Sequence, residues 1–222
     1  MMADRPILFS APMVQALLAG RKTQTRRILK PQPPRFQHYG RDIMDWGLSG
    51  IYQEDDQEGT SKWMLDVQTD VDDNSHEVID VRFAKGDRLY VRETWSADRL
   101  MSGFKPRDML TSTPIWYWAD GNPHDGDWIK PKPGIHMPRW ASRLTLTVTD
   151  VRVERLHQIV PADAIAEGIF APANSQTIDC ATRDPRDDYR ALWNNINGAN
   201  AWDANPWVVA VSFTVERKNI DA

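Results

Sequence analysis

The run Leu18-Ala19-Gly20-Arg21-Lys22-Thr23-Gln24-Thr25-Arg26-Arg27 sets an amine and two hydroxyls among three arginines, with no acid beside them. Neighbouring positive charges disfavour an ammonium and lower the pKa of a lysine. A lysine that is neutral near pH 7 can take the proton of a threonine, and a threonine so activated can attack a carbonyl. Lys22 and Thr25 are therefore a candidate base and nucleophile. The same residue types also suit a phosphate contact, or a solvated basic loop whose threonines bond their own backbone. Geometry separates these readings. On a regular strand Lys22 and Thr25 point to opposite faces, so the pair requires a turn or an irregular stretch just after Gly20.

Other chemistry-bearing residues are sparser. Glu167 falls near the C-terminal end of a short helix predicted over 161–168. A carboxylate is poorly placed there with respect to the helix dipole, which points to a partner such as a lysine or a ligand amine; the alternative is an exposed surface glutamate. Ten tryptophans are many for 222 residues, and most should be core because each buries a large apolar surface. Trp95, in Arg92-Glu93-Thr94-Trp95 at a strand end, is the one placed to stack on a base. The five histidines are scattered, and no His-x-x-x-His or Cys-x-x-Cys spacing marks a metal site. A serine–histidine–carboxylate triad stays open, although no Gly-x-Ser-x-Gly elbow is present. His136 reads as a hydrogen-bonded structural histidine.

The elements that must position these residues follow from pattern. Ile7–Phe9 reads as a short strand, and Pro12 opens a helix with Met13, Ala16 and Leu17 at helical spacing, capped by Gly20. Pro31, Pro33 and Pro34 then end regular structure. Residues of about 36–78 are polar and acidic and form an excursion from the core with a small hairpin of its own. Lys85-Gly86-Asp87 is a turn into the strand 88–92, and 115–118 is a further strand. In 143–155 Leu144, Leu146 and Val148 alternate with threonines before Val151 and Val153 continue out of phase, which predicts a bulge near Asp150. A helix with Pro161 in its first turn and Gly168 past its end, an amphipathic helix over 184–196 and a last strand over 207–215 complete the chain. This is an α+β pattern, best met by a small twisted barrel or strongly curved sheet with peripheral short helices.

Composition bounds the function. Hydrophobic residues make up 41% and charged residues 26%, with a net charge of −4, which argues against a general duplex-DNA binder. The charge is uneven. Residues 21–35 carry Arg21, Lys22, Arg26, Arg27, Lys30 and Arg35 and no acid, whereas 54–80 carry ten acids against Lys62 alone. A local cationic patch of this kind suits a small anionic or polar ligand, or a short RNA contact. No apolar run approaches the roughly 20 residues that span a bilayer. The N-terminus lacks a signal-peptide pattern, and the single Cys180 fits a reducing cytosol. A cytoplasmic protein with no membrane contact is expected.

These motifs together resemble the ASCH family, a branch of the PUA-like barrels. The similarity lies in Leu17-Leu18-Ala19-Gly20-Arg21-Lys22-Thr23-Gln24-Thr25-Arg26, Gly86-Asp87 before a strand, the strand 143–153, Ala166-Glu167-Gly168 and the terminal strand 207–215. Gly86–Trp95, His136–Arg143 and Trp202–Trp207 are similar to a longer phage and prophage-type subgroup. The resemblance implies a single domain over 1–222, a PUA-like small twisted β-barrel with an acidic insertion at about 36–78. It also implies an amidohydrolase that deacylates N4-acylated cytidine or cytosine, with Lys22 as base, Thr25 as nucleophile and Glu167 as third catalytic residue. Backbone N–H groups or Arg26 would hold the oxyanion, and Glu93 and Trp95 would bind substrate. No metal or organic cofactor is implied. A non-catalytic RNA or modified-nucleotide binding module, or a ribonuclease, is the competing reading.

Overall fold

The computed structural model describes residues 3–32, 36–38, 41–43, 48–55, 61–67, 75–169 and 184–222. In chain order the elements are β1 (Asp4–Leu8), α1 (Ala11–Leu18), β2 (Gln24–Ile28), β3 (Phe36–His38), β4 (Arg41–Ile43), β5 (Leu48–Asp55), β6 (Ser61–Val67) and β7 (Ser75–Ile79). There follow β8 (Arg88–Arg92), β9 (Trp95–Ala97), β10 (Ile115–Tyr117), β11 (Thr145–Arg155), α2 (Pro161–Ala166), α3 (Pro185–Asn197) and β12 (Trp207–Glu216), with short 3-10 turns between them. The predicted strands and helices are present to within a few residues at their ends. Pro33, Pro34 and Cys180 lie outside the described residues.

The main sheet has five strands in the order β1-β8-β11-β12-β2. β1 runs parallel to β8, and the other three pairings are antiparallel. The predicted phase slip in β11 is a bulge. Val148 pairs with Phe213 and Asp150 with Ser212, leaving Thr149 as the extra residue. Leu146 and Val148 are buried before the bulge, and Val151 and Val153 pack on the same core after it. A one-residue insertion is thus absorbed without losing the apolar face. The sheet is open: β1 and β2 are its two edges, and no backbone ladder among the described residues closes a barrel. A side-chain bond spans the gap instead, from Arg27 Nη2 to Leu8 O at 2.7 Å. The excursion holds a β3–β4 pair and an antiparallel β5-β6-β7 sheet, more than the single hairpin predicted.

Three buried clusters fix the frame. The first packs α1 (Val14, Leu17) on β1, β8, β11 and β12. The second joins Leu156, Ile159 and Ala164 of the α2 region to Tyr189 and Trp193 of α3 and to Val208 of β12. α2 has only six residues, too few to persist alone, so this packing is what holds it in place. The third gathers Trp95, Ala97, Met109, Met137 and Ala141 around β9. Among the described residues no helix is long and apolar enough to cross a membrane.

Candidate active site

α1 ends where the sequence predicted. Gly20 has φ +70 and its N–H bonds Leu17 O, while Arg21 N–H reaches Ala16 O. This is a left-handed C-terminal cap, which glycine adopts without a Cβ penalty. The chain then runs irregularly through 21–23 before β2 begins. Lys22 N–H bonds Ala16 O, Thr23 N–H bonds Ala166 O, and Thr23 O accepts from Phe213 N–H. Lys22 and Glu167 form an isolated antiparallel bridge. The irregular stretch that a Lys22–Thr25 pair required is therefore present, stitched between α1, α2 and β12. Gly168 (φ +93) completes it by close approach: a Cβ there would lie 3.0 Å from the Ala16 Cβ and 3.2 Å from the Lys22 Cβ.

Lys22, Thr25 and Glu167 line one cavity of ≈ 590 Å³, a size typical of small-molecule sites. It opens beside the gap between β1 and β2. Leu8, Met13, Leu192 and Ile196 give it an apolar side, and Arg26, Arg27, Lys30 and Tyr189 a polar one.

Lys22 is 1% exposed. Its Nζ donates to Glu167 Oε2 at 2.9 Å, Glu167 O at 2.8 Å and Gln24 O at 2.9 Å, which uses every donor of an ammonium. The partner predicted for Glu167 is thus a lysine. Burial pulls the Lys22 pKa down, Glu167 opposes this, and the Arg27 and Arg26 charges lower it further. The downward direction expected from the neighbouring arginines is found, but desolvation is its main cause. No hydrogen bond joins Lys22 to Thr25. Thr25 is buried on β2, paired with Val211.

Arg26 differs from its expected role. All five of its N–H groups are committed. Nε and Nη2 donate to Glu154 Oε1 at 3.0 and 2.7 Å, and Nη2 also to Asp163 Oδ2 at 2.7 Å. Nη1 donates to Gln24 Oε1 at 2.6 Å and to Glu167 Oε1 at 3.3 Å. With no donor left over, Arg26 positions Glu167 and is not placed to receive an oxyanion. Burial works against its charge, and Glu167 and Glu154 outweigh that and raise its pKa. Tyr189 adds a long contact to Glu167 Oε1 at 3.4 Å, and burial together with that carboxylate pushes its phenol pKa up.

Glu93 and Trp95 are not brought to this cavity. Trp95 is fully buried in the β9 cluster, shut in by Met109 and Met137, so it presents no face for a base. Glu93 is buried and chelated by Arg143, with Nε to Oε1 at 2.9 Å and Nη2 to Oε2 at 3.0 Å. Burial raises its pKa and Arg143 opposes the rise. That pair braces β8 against the start of β11.

Arg27, Tyr189 and Trp193 belong to the cavity and were not predicted for it. Arg27 follows from the alternation of β2, which sets it on the face of Thr25. Burial lowers its pKa, and its guanidinium stacks 5.2 Å from the Phe9 ring centre. Trp193 is 4% exposed, and its indole N–H is buried with no acceptor among the described residues. The helical period of 184–196 sets both α3 aromatics on its apolar face, but only the docking of α3 brings that face to the cavity. Among the described residues no cluster of His, Cys, Asp or Glu could hold a metal ion; the carboxylates around Arg26 are taken up by guanidinium.

No family model, no curated protein and no solved structure matches this chain.

Proposed function

We propose that this protein is an amidohydrolase that removes acyl groups from N4-acylated cytidine or cytosine, with Thr25 as nucleophile, Lys22 as base and Glu167 at the leaving amine. The observation that carries the reading is the meeting of Lys22, Thr25 and Glu167 on one cavity wall, with Lys22 and Glu167 in contact although 145 positions apart. Two further features support it. The motifs around these residues are those of the ASCH resemblance, and the open sheet is read as its PUA-like barrel with the seam between β1 and β2. Trp193 lines the same wall, and its buried indole N–H has no acceptor among the described residues, whereas buried polar groups are normally paired.

In the proposed reaction neutral Lys22 accepts the Thr25 hydroxyl proton as Oγ1 bonds to the acyl carbon and the carbonyl electron pair moves to oxygen. Arg27, whose guanidinium makes one hydrogen bond among the described residues, to Leu8 O, is the guanidinium available to that oxyanion; such a donor contributes about 3 kcal/mol. Collapse breaks the carbon–N4 bond, and the leaving amine takes the proton back from Lys22. Glu167 accepts an N–H of that amine. Water then gives a proton to Lys22 and cleaves the acyl-threonine ester, and the proton returns to Thr25.

Incubation with N4-acetylcytidine and larger N4-acyl cytidines, following release of cytidine, tests this. Turnover is expected for the wild-type chain and loss of at least about 100-fold for Lys22→Ala and Thr25→Ala. A folded protein inert on the whole panel, or either variant active, contradicts the assignment. One observation favours the competing reading of a non-catalytic RNA or modified-nucleotide module: all three Lys22 donors are already spent, as in a fixed structural pair. Under that reading the wild-type protein binds nucleoside without turnover, and Thr25→Ala binds equally well.

A further inference from the structure

We propose that the trough adjoining the cavity is a phosphate-binding subsite, so that what the cavity holds is a phosphorylated nucleotide. The choice of nucleotide rests on the nucleoside reading above, whereas the anion site stands on its own geometry. The trough, ≈ 480 Å³, shares Leu8, Arg27, Ile28 and Lys30 with the cavity wall and continues past them to Arg82 and Arg92. It thus sets four cations against one carboxylate, Asp80.

The pairing of these cations distinguishes them. Elsewhere Arg26, Arg88, Arg139, Arg143, Arg152 and Arg190 each hold a carboxylate. Among the described residues no ion pair involves Arg27, Lys30, Arg82 or Arg92. Arg27 gives one N–H to Leu8 O. Arg92 makes two long contacts, to Ile135 O and to the Tyr90 hydroxyl, both at 3.3 Å, and its Nε is buried without an acceptor. Like charges gathered in one concavity repel, and in a chain of net charge −4 acids are plentiful enough to have paired them. A ligand that brings several acceptor oxygens relieves this repulsion, and phosphate matches the guanidinium fork.

A mononucleotide phosphate and the backbone of an RNA strand present the same chemistry. The trough itself shares Arg92 and Ile135 with a further concavity lined by Lys105, Arg107 and His136, along which a strand would continue.

Calorimetric titration of the full chain with cytidine, cytidine 5′-monophosphate, a cytidine-containing RNA trimer and inorganic phosphate tests the proposal without any turnover. The monophosphate is expected to bind at least about tenfold tighter than cytidine, from one or two charge-assisted bonds. Arg82→Ala/Arg92→Ala should collapse that ratio to about one and remove inorganic phosphate binding, whereas Arg190→Ala, on the surface, should change neither. Arg82 is exposed, so Arg82→Glu alone is a second variant that leaves the core intact. Equal binding of cytidine and its monophosphate, or a preference that survives the double variant, overturns the subsite. A trimer tighter still, and weakened by Lys105→Ala/Arg107→Ala, supports it with a strand as source; a trimer equal to the monophosphate supports it with a mononucleotide. Inorganic phosphate binding dependent on Arg82 and Arg92 is expected even if N4-acetylcytidine proves inert, which separates this proposal from the hydrolytic one.

Discussion

At the scale of single residues, the site turns on how one amine is held. Lys22 sits among one carboxylate, two carbonyls and two neighbouring guanidinium groups, almost wholly buried. Desolvation disfavours its charged form, so its titration in the folded protein lies below the ordinary lysine value of about 10.4. The proposed base acts only when neutral. Turnover should therefore rise with pH and level off at a lower pH than an ordinary lysine would set, the direction given by the lowered pKa. Lys22→Arg keeps the charge and removes the titration, because a guanidinium does not lose its proton in this range. The expected outcome is a folded variant with no rising limb and at least about 100-fold less turnover; a pH–rate profile on both proteins checks it. A rising limb that persists in Lys22→Arg assigns the base elsewhere. Arg26 illustrates the opposite limit. A guanidinium whose five N–H groups all donate to protein acceptors is a brace, and its neighbour Arg27, one position along β2, gives one N–H to Leu8 O and keeps the rest.

At the scale of elements, three chain segments converge on Lys22: the end of α1, the end of α2 and the approach to β2. Their contact depends on Gly168, which has a left-handed φ and sits against Ala16 and Lys22. Gly168→Ala adds a methyl where the nearest carbons are 3.0 and 3.2 Å away, so α2 must shift from α1. A loss of about 1–3 kcal/mol of stability is expected from the overpacking, together with a fall in turnover larger than the change in substrate affinity, because Glu167 moves with the helix end. Urea melts and a kcat-against-KM comparison check this. Gly20 is the milder case: nothing lies within 4 Å of a Cβ built there, so only its backbone conformation is at stake.

At the scale of the molecule, carboxylate–arginine contacts tie distant parts of the chain together. Asp4 and Asp221 clasp Arg139 and join the N-terminal strand to the C-terminus, while Asp163 joins α2 to β2 through Arg26. The Asp4 and Asp221 pKa values are lowered by hydrogen bonds from Arg139; at Asp163 burial acts the other way, and Arg26 and Arg152 outweigh it. A carboxylate with a depressed folded pKa stabilises fully above its unfolded value and loses that contribution as pH falls through the folded one. The urea midpoint should hold between pH 7 and 5 and fall below about pH 4, with far-UV circular dichroism as the readout; a midpoint equal at pH 7 and pH 3 contradicts it. The alternation in β11, the glycine cap of α1 and the amphipathic period of α3 were legible in the chain because each is a local rule of side-chain spacing. So was the phase slip at Asp150, since a bulge is visible as a change of parity. Residue type and spacing made Lys22 and Thr25 a candidate pair and pointed Glu167 toward a partner, and the ASCH resemblance joined the three into one expected site. What they could not decide was contact. Whether Lys22 meets a carboxylate 145 positions away, whether Arg26 has a donor to spare, whether Trp95 shows a face, and whether β1 closes on β2 all depend on how packed elements meet. Desolvation and donor counts exist only once the neighbours are in place.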